Sequence, residues 1–251
     1  NTKYELIQSL PEQGLAIFNG ENKYCKELYR KTKKPRSLLI SMKSKTSDIR
    51  AQNIKITKDF IFFKAQSRDG QEADFKISLL GAQNIENILL AVCCAKELGM
   101  SLDEISKACE KIEPWQGGIV LKRGIGGVNI IDATYSSNPN GVISHLEYLK
   151  PLKGKKIIIM PCLIELGPTS KEIHKKIGKK IGQVCDLAII TTKEFFFEIK
   201  KGAVGAGMKK DSILFLEKPE EIFEKMKSYY LPENTILLES RVPNQLIDLL
   251  I

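Results

Sequence analysis

Long apolar runs are missing from this sequence. Nowhere in its 251 residues do the roughly 18 consecutive apolar residues of a membrane-spanning helix occur, so no membrane span is expected. No basic-then-apolar leader opens the chain, and a cytoplasmic protein is expected. Cys-x-x-Cys is missing too. The six cysteines (Cys25, Cys93, Cys94, Cys109, Cys162 and Cys185) are scattered through apolar segments. That scatter suits buried thiols of a reducing compartment better than disulfides or metal. Only two histidines occur, His145 and His174, too far apart for ligand spacing, so no histidine-bound metal is expected. There is no Gly-x-x-x-x-Gly-Lys-Ser/Thr phosphate loop and no Gly-x-Gly-x-x-Gly following a strand. A Gly-x-Ser-x-Gly nucleophile elbow is also lacking. Aromatic residues amount to only 7%, which argues against the stacking platforms of single-strand nucleic-acid binders.

What is present is charge of one sign. The net charge is +9, carried mostly by lysine. Basic runs lie at residues 30–36, 153–156 and 171–180, spread over several predicted helices. The reading is a solvated lysine-rich surface that attracts a nucleotide or polyanionic substrate. Nucleic acid is not an expected partner; that competing reading would need affinity that survives moderate salt. With 43% hydrophobic and 27% charged residues the composition is that of a soluble globular protein, long enough for one large core or two moderate ones.

Periodicity divides the chain in two. In the first half, residues 1–7 read as a helix, with Thr2 and Glu5 as a possible capping box. A strand follows at 15–18, ending at Asn19. A helix over 21–33 would turn Tyr24, Leu28 and Cys25 inward, and a strand covers 37–42. Residues 49–80 alternate like strands, with Arg68-Asp69-Gly70 as a hairpin turn. A helix over 83–98 stops at Gly99, and Ser101 with Glu104 caps another running to about Ile112. Pro114-Trp115-Gln116-Gly117-Gly118 is the linker, giving expected domains 1–113 and 114–251. After it, strands at 119–121, 128–131, 156–160, 187–190, 213–216 and 235–238 alternate with helices at 139–149, 169–184, 195–201, 219–229 and from 244. Such βα units predict an α/β fold with a mostly parallel sheet covered on both faces.

The chain is organised around residues 128–141. An apolar run stops at Asp132, a polar loop carries Tyr135, Ser136, Ser137 and Asn138, and a helix begins at Pro139. Open α/β sheets place ligand-binding groups in such strand-to-helix loops. Asn138 and Pro139 also suit an N-cap and first helical position with no function attached. Gly124, Gly126 and Gly127 lie between two short strands and read as a hairpin turn, not a phosphate cradle. Asn84 and Asn87, three apart, share one helix face; their amides suit an adenine edge, and plain capping explains them equally. Residues 164–168, ahead of the helix that holds His174, form a second site-like loop. Glu239-Ser240-Arg241 forms a third.

Five ordered segments carry a resemblance. They are Lys3-Tyr4-Glu5-Leu6, then Leu10-Pro11 with the stretch from Gly14 to Asn19, Gly81-Ala-Gln-Asn-Ile-Glu-Asn87, Asp132-Ala-Thr-Tyr-Ser-Ser-Asn-Pro139, and Glu165-Leu-Gly167 followed by His174. Over the whole length they resemble the Mur ligase family, and within it the type that adds D-alanyl-D-alanine to UDP-N-acetylmuramoyl-tripeptide. The resemblance implies the later part of a P-loop-type ATPase central domain, followed by a Rossmann-like C-terminal domain. The family's phosphate loop and UDP-sugar domain would precede Asn1, so a fragment is expected, inactive alone.

The activity implied is ATP-dependent amide formation in peptidoglycan precursor synthesis, through an acyl phosphate, by a monomer. ATP and Mg²⁺ are implied, with a UDP-N-acetylmuramoyl peptide and D-Ala-D-Ala as partners. Lys3 falls where the family carries a carbamylated lysine, which would serve catalysis as a Mg²⁺ ligand. Asn84, Asn87, Asp132, Tyr135 and Asn138 would serve the nucleotide. Glu165, His174, Ser240 and Arg241 would serve the substrate.

Three departures stand out: Gly118 replaces an ATP-contacting arginine, Ala133 a second acid, and Gln83 a histidine. Lys122 or Arg123 would have to substitute for the arginine, and Asp132 for the acid. The alternative is a divergent, non-catalytic binding module on the same fold.

Overall fold

A computed structural model describes residues 2–57, 60–79, 81–113, 119–135 and 137–251. Asn1, Leu80, Ser136 and the expected linker Pro114-Trp115-Gln116-Gly117-Gly118 lie outside the described residues. The chain forms two compact units, Asn1–Glu113 and Pro114–Ile251.

In the first unit, helix α1 (Thr2–Gln8) leads into strand β1 (Leu15–Asn19) and helix α2 (Lys23–Lys31). Strands β2 (Arg36–Ser41), β3 (Ile49–Ile56), β4 (Ile61–Ser67) and β5 (Glu72–Ile77) follow, then helices α3 (Gln83–Glu97) and α4 (Leu102–Cys109). The sheet runs β1-β2-β3-β4-β5, parallel through β3 and antiparallel beyond. Alternation decides which face is covered: Ile61, Phe63 and Ala65 of β4 and Ala73, Phe75 and Ile77 of β5 are buried, while Phe62, Lys64, Asp74 and Lys76 between them turn to the other face. Phe63 and Phe75 stack with centroids 5.0 Å apart. Ile85, Ile88, Leu89, Val92 and Cys93 of α3 close the same core. The capping box at Ser101 and Glu104 is present.

Two inward faces differ from expectation. In α2 Tyr24 is 63% exposed, with the Lys23 ammonium over its ring. Asn22 caps this nine-residue helix, and that phase brings Tyr29 edge-on to Phe18 instead. Cys94 is exposed because the core-facing stripe of α3 runs through its neighbour Cys93. All six cysteines are free thiols, four of them buried.

The second unit holds strands β6 (Val120–Arg123) and β7 (Asn129–Ala133), helix α5 (Pro139–Leu149), strand β8 (Lys156–Met160) and helix α6 (Ser170–Val184). Strand β9 (Leu187–Ile190), helix α7 (Phe196–Gly205), strand β10 (Ile213–Phe215), helix α8 (Pro219–Met226), strand β11 (Thr235–Glu239) and helix α9 (Asn244–Leu250) complete it. The strand order is β10-β9-β8-β11-β7-β6, parallel except for the β6–β7 hairpin. β8, β9 and β11 are apolar runs with almost no alternation because helices cover both faces. Ile222 and Met226 of α8 and Leu246 and Leu250 of α9 pack on one side, against Ile130, Ile159 and Leu238. α5, α6 and α7 cover the other. α6 and α7 meet backbone to backbone: a Cβ on Gly178 would lie 2.1 Å from the Ile199 carbonyl oxygen.

The chain moves outward from β7 to β8, β9 and β10, then returns to insert β11 between β8 and β7. That reversal opens a crevice at the carboxyl edge, the usual ligand position in doubly wound sheets. No helix among the described residues is long and apolar enough to cross a membrane.

Candidate functional site

Five parallel strands of the second unit end at this edge, and four of them, β7, β8, β9 and β11, lead into the loops of the site. β7 ends in Asp132 and Ala133. One Asp132 oxygen accepts from the Thr134 N–H at 3.1 Å and its hydroxyl at 2.7 Å; the other accepts from the Lys122 ammonium at 2.7 Å. Burial raises the Asp132 carboxyl, but the Lys122 and Thr134 hydrogen bonds outweigh it, and the group is held below the ordinary carboxylate range. Arg123 donates to the Gly127 carbonyl at 3.0 Å. Both cations proposed to replace the missing arginine are thus engaged within their own hairpin. Tyr135 is 68% exposed. Asn138 caps α5, its oxygen accepting from the Asn140 and Gly141 N–H groups at 3.1 and 3.0 Å, which leaves its amide NH₂ for other use.

Beside this loop lies a cleft of about 740 Å³. Ser137, Glu165, Ser170, Glu194, Ser240 and Arg241 supply its polar lining, from the loops after β7, β8, β9 and β11. Among the described residues, Glu165, Glu194 and Arg241 make no hydrogen bond or ion pair. Glu165 and Ser240 share an unusual backbone, each at φ 61°. A left-handed conformation in a side-chain-bearing residue costs energy and clusters at functional loops. Adjacent strands are about 4.8 Å apart, so Glu194 after β9 and Arg241 after β11 start about 10 Å apart, with the β8 loop between them.

His174 stands behind the cleft wall, not in it. The ring is 0% exposed and stacks on Phe195, centroids 4.5 Å apart. Nε2 accepts from the Leu163 N–H at 2.9 Å and Nδ1 donates to the Ser170 carbonyl at 2.7 Å, which fixes a neutral tautomer. Desolvation holds its pKa below the ordinary histidine value. The expected substrate contact at His174 is therefore corrected: with both nitrogens satisfied by backbone, the ring shapes residues 163–170. Across the cleft floor the Cys162 N–H donates to the Thr192 hydroxyl at 2.8 Å, tying the β8 and β9 loops together.

In the first unit Lys3 is exposed on α1 and has no partner among the described residues. Asn87 is exposed and Asn84 half-buried in the first turn of α3, the Asn87 amide donating to the Asn84 oxygen at 3.4 Å. Between them Glu86 accepts from Asn19, fastening the end of β1 to the start of α3. Gln83 has a buried Oε1 without a partner among the described residues. Glu21 accepts from the Ser41 hydroxyl at 2.6 Å and the Met42 N–H at 2.9 Å, closing the ends of β1 and β2.

Sequence reasoning missed Glu194. The signal was available: Thr191 to Glu194 follows a strand and precedes a helix, at the same sheet edge as the three loops singled out.

The chain matches the Mur ligase middle domain over residues 1–95 and the Mur ligase glutamate ligase domain over residues 119–241. It is 25% identical over 177 residues to the UDP-N-acetylmuramoyl-tripeptide–D-alanyl-D-alanine ligase of Escherichia coli K12, covering 70% of this chain and 39% of that protein. To the Bacillus subtilis ligase of the same name it is 21% identical over 246 residues, covering 95% of this chain and 50% of that one. The chain thus spans half or less of the length of these relatives. Its fold matches MurF from Acinetobacter baumannii with a TM-score of 0.82 at 21% identity, over 98% of this chain and 54% of that one. MurF from Thermotoga maritima in complex with ADP matches with a TM-score of 0.79 at 20% identity, over 99% and 55%. Two domain profiles in the right order, on the fold described above, show that the chain belongs to the Mur ligase family.

Proposed function

We propose that this chain supplies the nucleotide- and amine-handling parts of a cytoplasmic, monomeric ATP-dependent ligase of peptidoglycan precursor synthesis. The ligase joins D-alanyl-D-alanine to a UDP-N-acetylmuramoyl peptide. The γ-phosphate activates the peptide carboxylate as an acyl phosphate, and the dipeptide amine displaces phosphate to give the amide.

One observation carries this reading: the cleft at the β8–β11 edge offers a guanidinium, Arg241, and two carboxylates, Glu165 and Glu194, none of them paired among the described residues. Opposite free charges at separate ends of one cavity complement a zwitterion. An extended dipeptide spans about 7 Å between its termini, closer to the two-strand spacing than a single amino acid is. Arg241 with the Ser240 hydroxyl takes the carboxylate, and the acids take the ammonium. His174 holds the loop that presents Glu165. Fixing the amine in this way lowers the entropic cost of attack.

Asn84 and Asn87 offer donors and acceptors to an adenine edge. Asp132, Tyr135 and Asn138 offer polar groups suited to a nucleotide. Lys3, exposed and without a partner among the described residues, could carry a carbamate, a carboxylate-like ligand suited to Mg²⁺. The described residues assemble no group of three acidic, histidine or cysteine side chains for a metal, so a magnesium site does not fit these residues alone.

The test uses the protein as its own cell produces it. ADP and phosphate are released only when both a UDP-muramoyl peptide and D-Ala-D-Ala are supplied. Absence of turnover together with absence of adenine-nucleotide binding overturns the proposal. Nucleotide binding without turnover favours the second reading, a non-catalytic module, which the engagement of Lys122 and Arg123 within their hairpin supports.

A further inference from the structure

A buried group with no part in this chemistry lies directly below Arg241. Glu239 ends β11 and is 0% exposed. Leu238 before it packs toward α8 and α9, so the strand alternation turns Glu239 to the other face, under α5. There Oε2 lies 2.6 Å from Nδ1 of His145, in the second turn of α5. Oε1 is buried and has no partner among the described residues. Burying a carboxylate with half its lone pairs unmatched is costly, and a packed apolar residue would be the better choice for stability alone.

The backbone that follows is what this pair supports. The Ser240 N–H donates to the Ala133 carbonyl at 3.0 Å, Ser240 itself takes φ 61°, and the Val242 N–H returns to the Ser240 carbonyl at 2.8 Å. Ser240 and Val242 are buried, whereas Arg241 between them is exposed and lines the cleft. The turn is therefore pinned at both shoulders and released at one side chain. Its lower end is joined to α5, the helix that carries the residue 132–138 loop at its start.

We propose that Glu239 and His145 form a positioning pair for Arg241. The pair holds the strained turn so that the guanidinium faces the cleft, and substrate carboxylate affinity depends on two residues that never touch substrate. This rests on the reading of Arg241 as the carboxylate contact.

The test is a double-mutant cycle on the protein as its cell produces it, with KM for D-Ala-D-Ala and kcat measured separately and thermal unfolding recorded for each variant. Arg241→Ala is expected to raise KM on the order of 10- to 100-fold, the span of a charge-assisted contact. Glu239→Gln, nearly isosteric, raises KM by about tenfold in the wild-type background and has no further effect in the Arg241→Ala background. His145→Asn, which can keep a donor near the Nδ1 position, restores KM to within about twofold of wild type, whereas His145→Phe matches Glu239→Gln. A Glu239→Gln protein that folds with unchanged KM, or effects that add to those of Arg241→Ala, overturn the pairing. If Glu239→Gln fails to fold, equal KM values for His145→Asn and His145→Phe overturn it instead. An Arg241→Ala protein with unchanged KM removes the carboxylate reading of Arg241, and the positioning role with it.

Discussion

Replacing His174 by Phe isolates the work of two hydrogen bonds. A phenyl ring keeps an aromatic face toward Phe195, 4.5 Å between centroids in the native stack, although the larger ring adds some overpacking in a fully buried site. It loses both polar contacts. The Leu163 N–H, which donates to Nε2 at 2.9 Å, is left buried without an acceptor, costing about 1–3 kcal/mol. The Ser170 carbonyl loses the Nδ1 donor at 2.7 Å but sits in the first turn of a helix, where backbone still reaches it, so about 0.5–1.5 kcal/mol is lost there. The expected total is roughly 2–4 kcal/mol, a large share of the 5–15 kcal/mol by which domains are stable. A urea midpoint lowered by about 1 M or more follows. Amide exchange at Leu163 should quicken more than at Ile158 in the buried sheet.

The pH dependence has a definite sign. Burial holds His174 below its unfolded value, so the folded state keeps the ring neutral while the unfolded chain takes up a proton. Stability is therefore fully present above the ordinary histidine pKa of about 6.5 and declines as the pH falls through the window beneath it. His174→Phe should lack that component of the decline. A variant as stable as wild type to within about 0.5 kcal/mol, with Leu163 still protected, would refute the assignment of both hydrogen bonds.

Other perturbations follow from packing and caps. Gly178→Ala puts a methyl 2.1 Å from the Ile199 carbonyl and should cost about 1–3 kcal/mol by prising α6 from α7. Gly205→Ala meets nothing within 4 Å in the last turn of α7 and should leave stability unchanged or raise it by up to about 1 kcal/mol; thermal melts compare the two. Ser101→Ala removes a capping box and should cost about 1 kcal/mol, read from the same melts. A thiol reagent at neutral pH should label Cys94 at once and Cys93 only on unfolding, since burial pushes the Cys93 thiol up to about 12; mass spectrometry of timed samples shows the order.

The strand-and-helix rhythm of the second unit was legible because β8, β9 and β11 are short apolar runs between helices with clear starts. Those starts included Asn138-Pro139 at α5 and Pro219 at α8. Helix phase was harder to read. Tyr24 and Tyr29 both fit an amphipathic reading of α2, and only the position of the Asn22 cap decides between them. The placement of Asp132 at the end of β7, and of Glu165, Ser240 and Arg241 in loops after strands, was legible because each apolar run stops at a polar residue. His174 was found for the wrong reason, since sequence shows a histidine near a loop but not that backbone claims both nitrogens. The pairing of His145 with Glu239 was out of reach, because 94 residues separate them and only the insertion of β11 beside β7 brings them together. Parallel sheets hide such contacts: neighbours in space are strangers in sequence.

Whether the engaged Lys122 can still serve the proposed nucleotide site is decided by comparing what it holds with what it would gain. Under the proposed nucleotide reading, the family resemblance implies that glycine at position 118 forgoes a phosphate contact of roughly 1.5–3 kcal/mol. Lys122 is spent on Asp132 at 2.7 Å, and a partly exposed pair of that kind contributes only about 0.2–1 kcal/mol. Moving the ammonium to a phosphate therefore gains more than it forfeits, and it frees one Asp132 oxygen for a ribose hydroxyl while Thr134 still holds the other. Under the proposed nucleotide reading, one side-chain swing would supply both a cation and an acid to the site. Lys122→Met should then weaken ADP binding by about tenfold in calorimetry, and Lys122→Arg should restore most of it. Equal ADP affinity in Lys122→Met and wild type would show that the ion pair is structural only and that the arginine has no replacement in this hairpin.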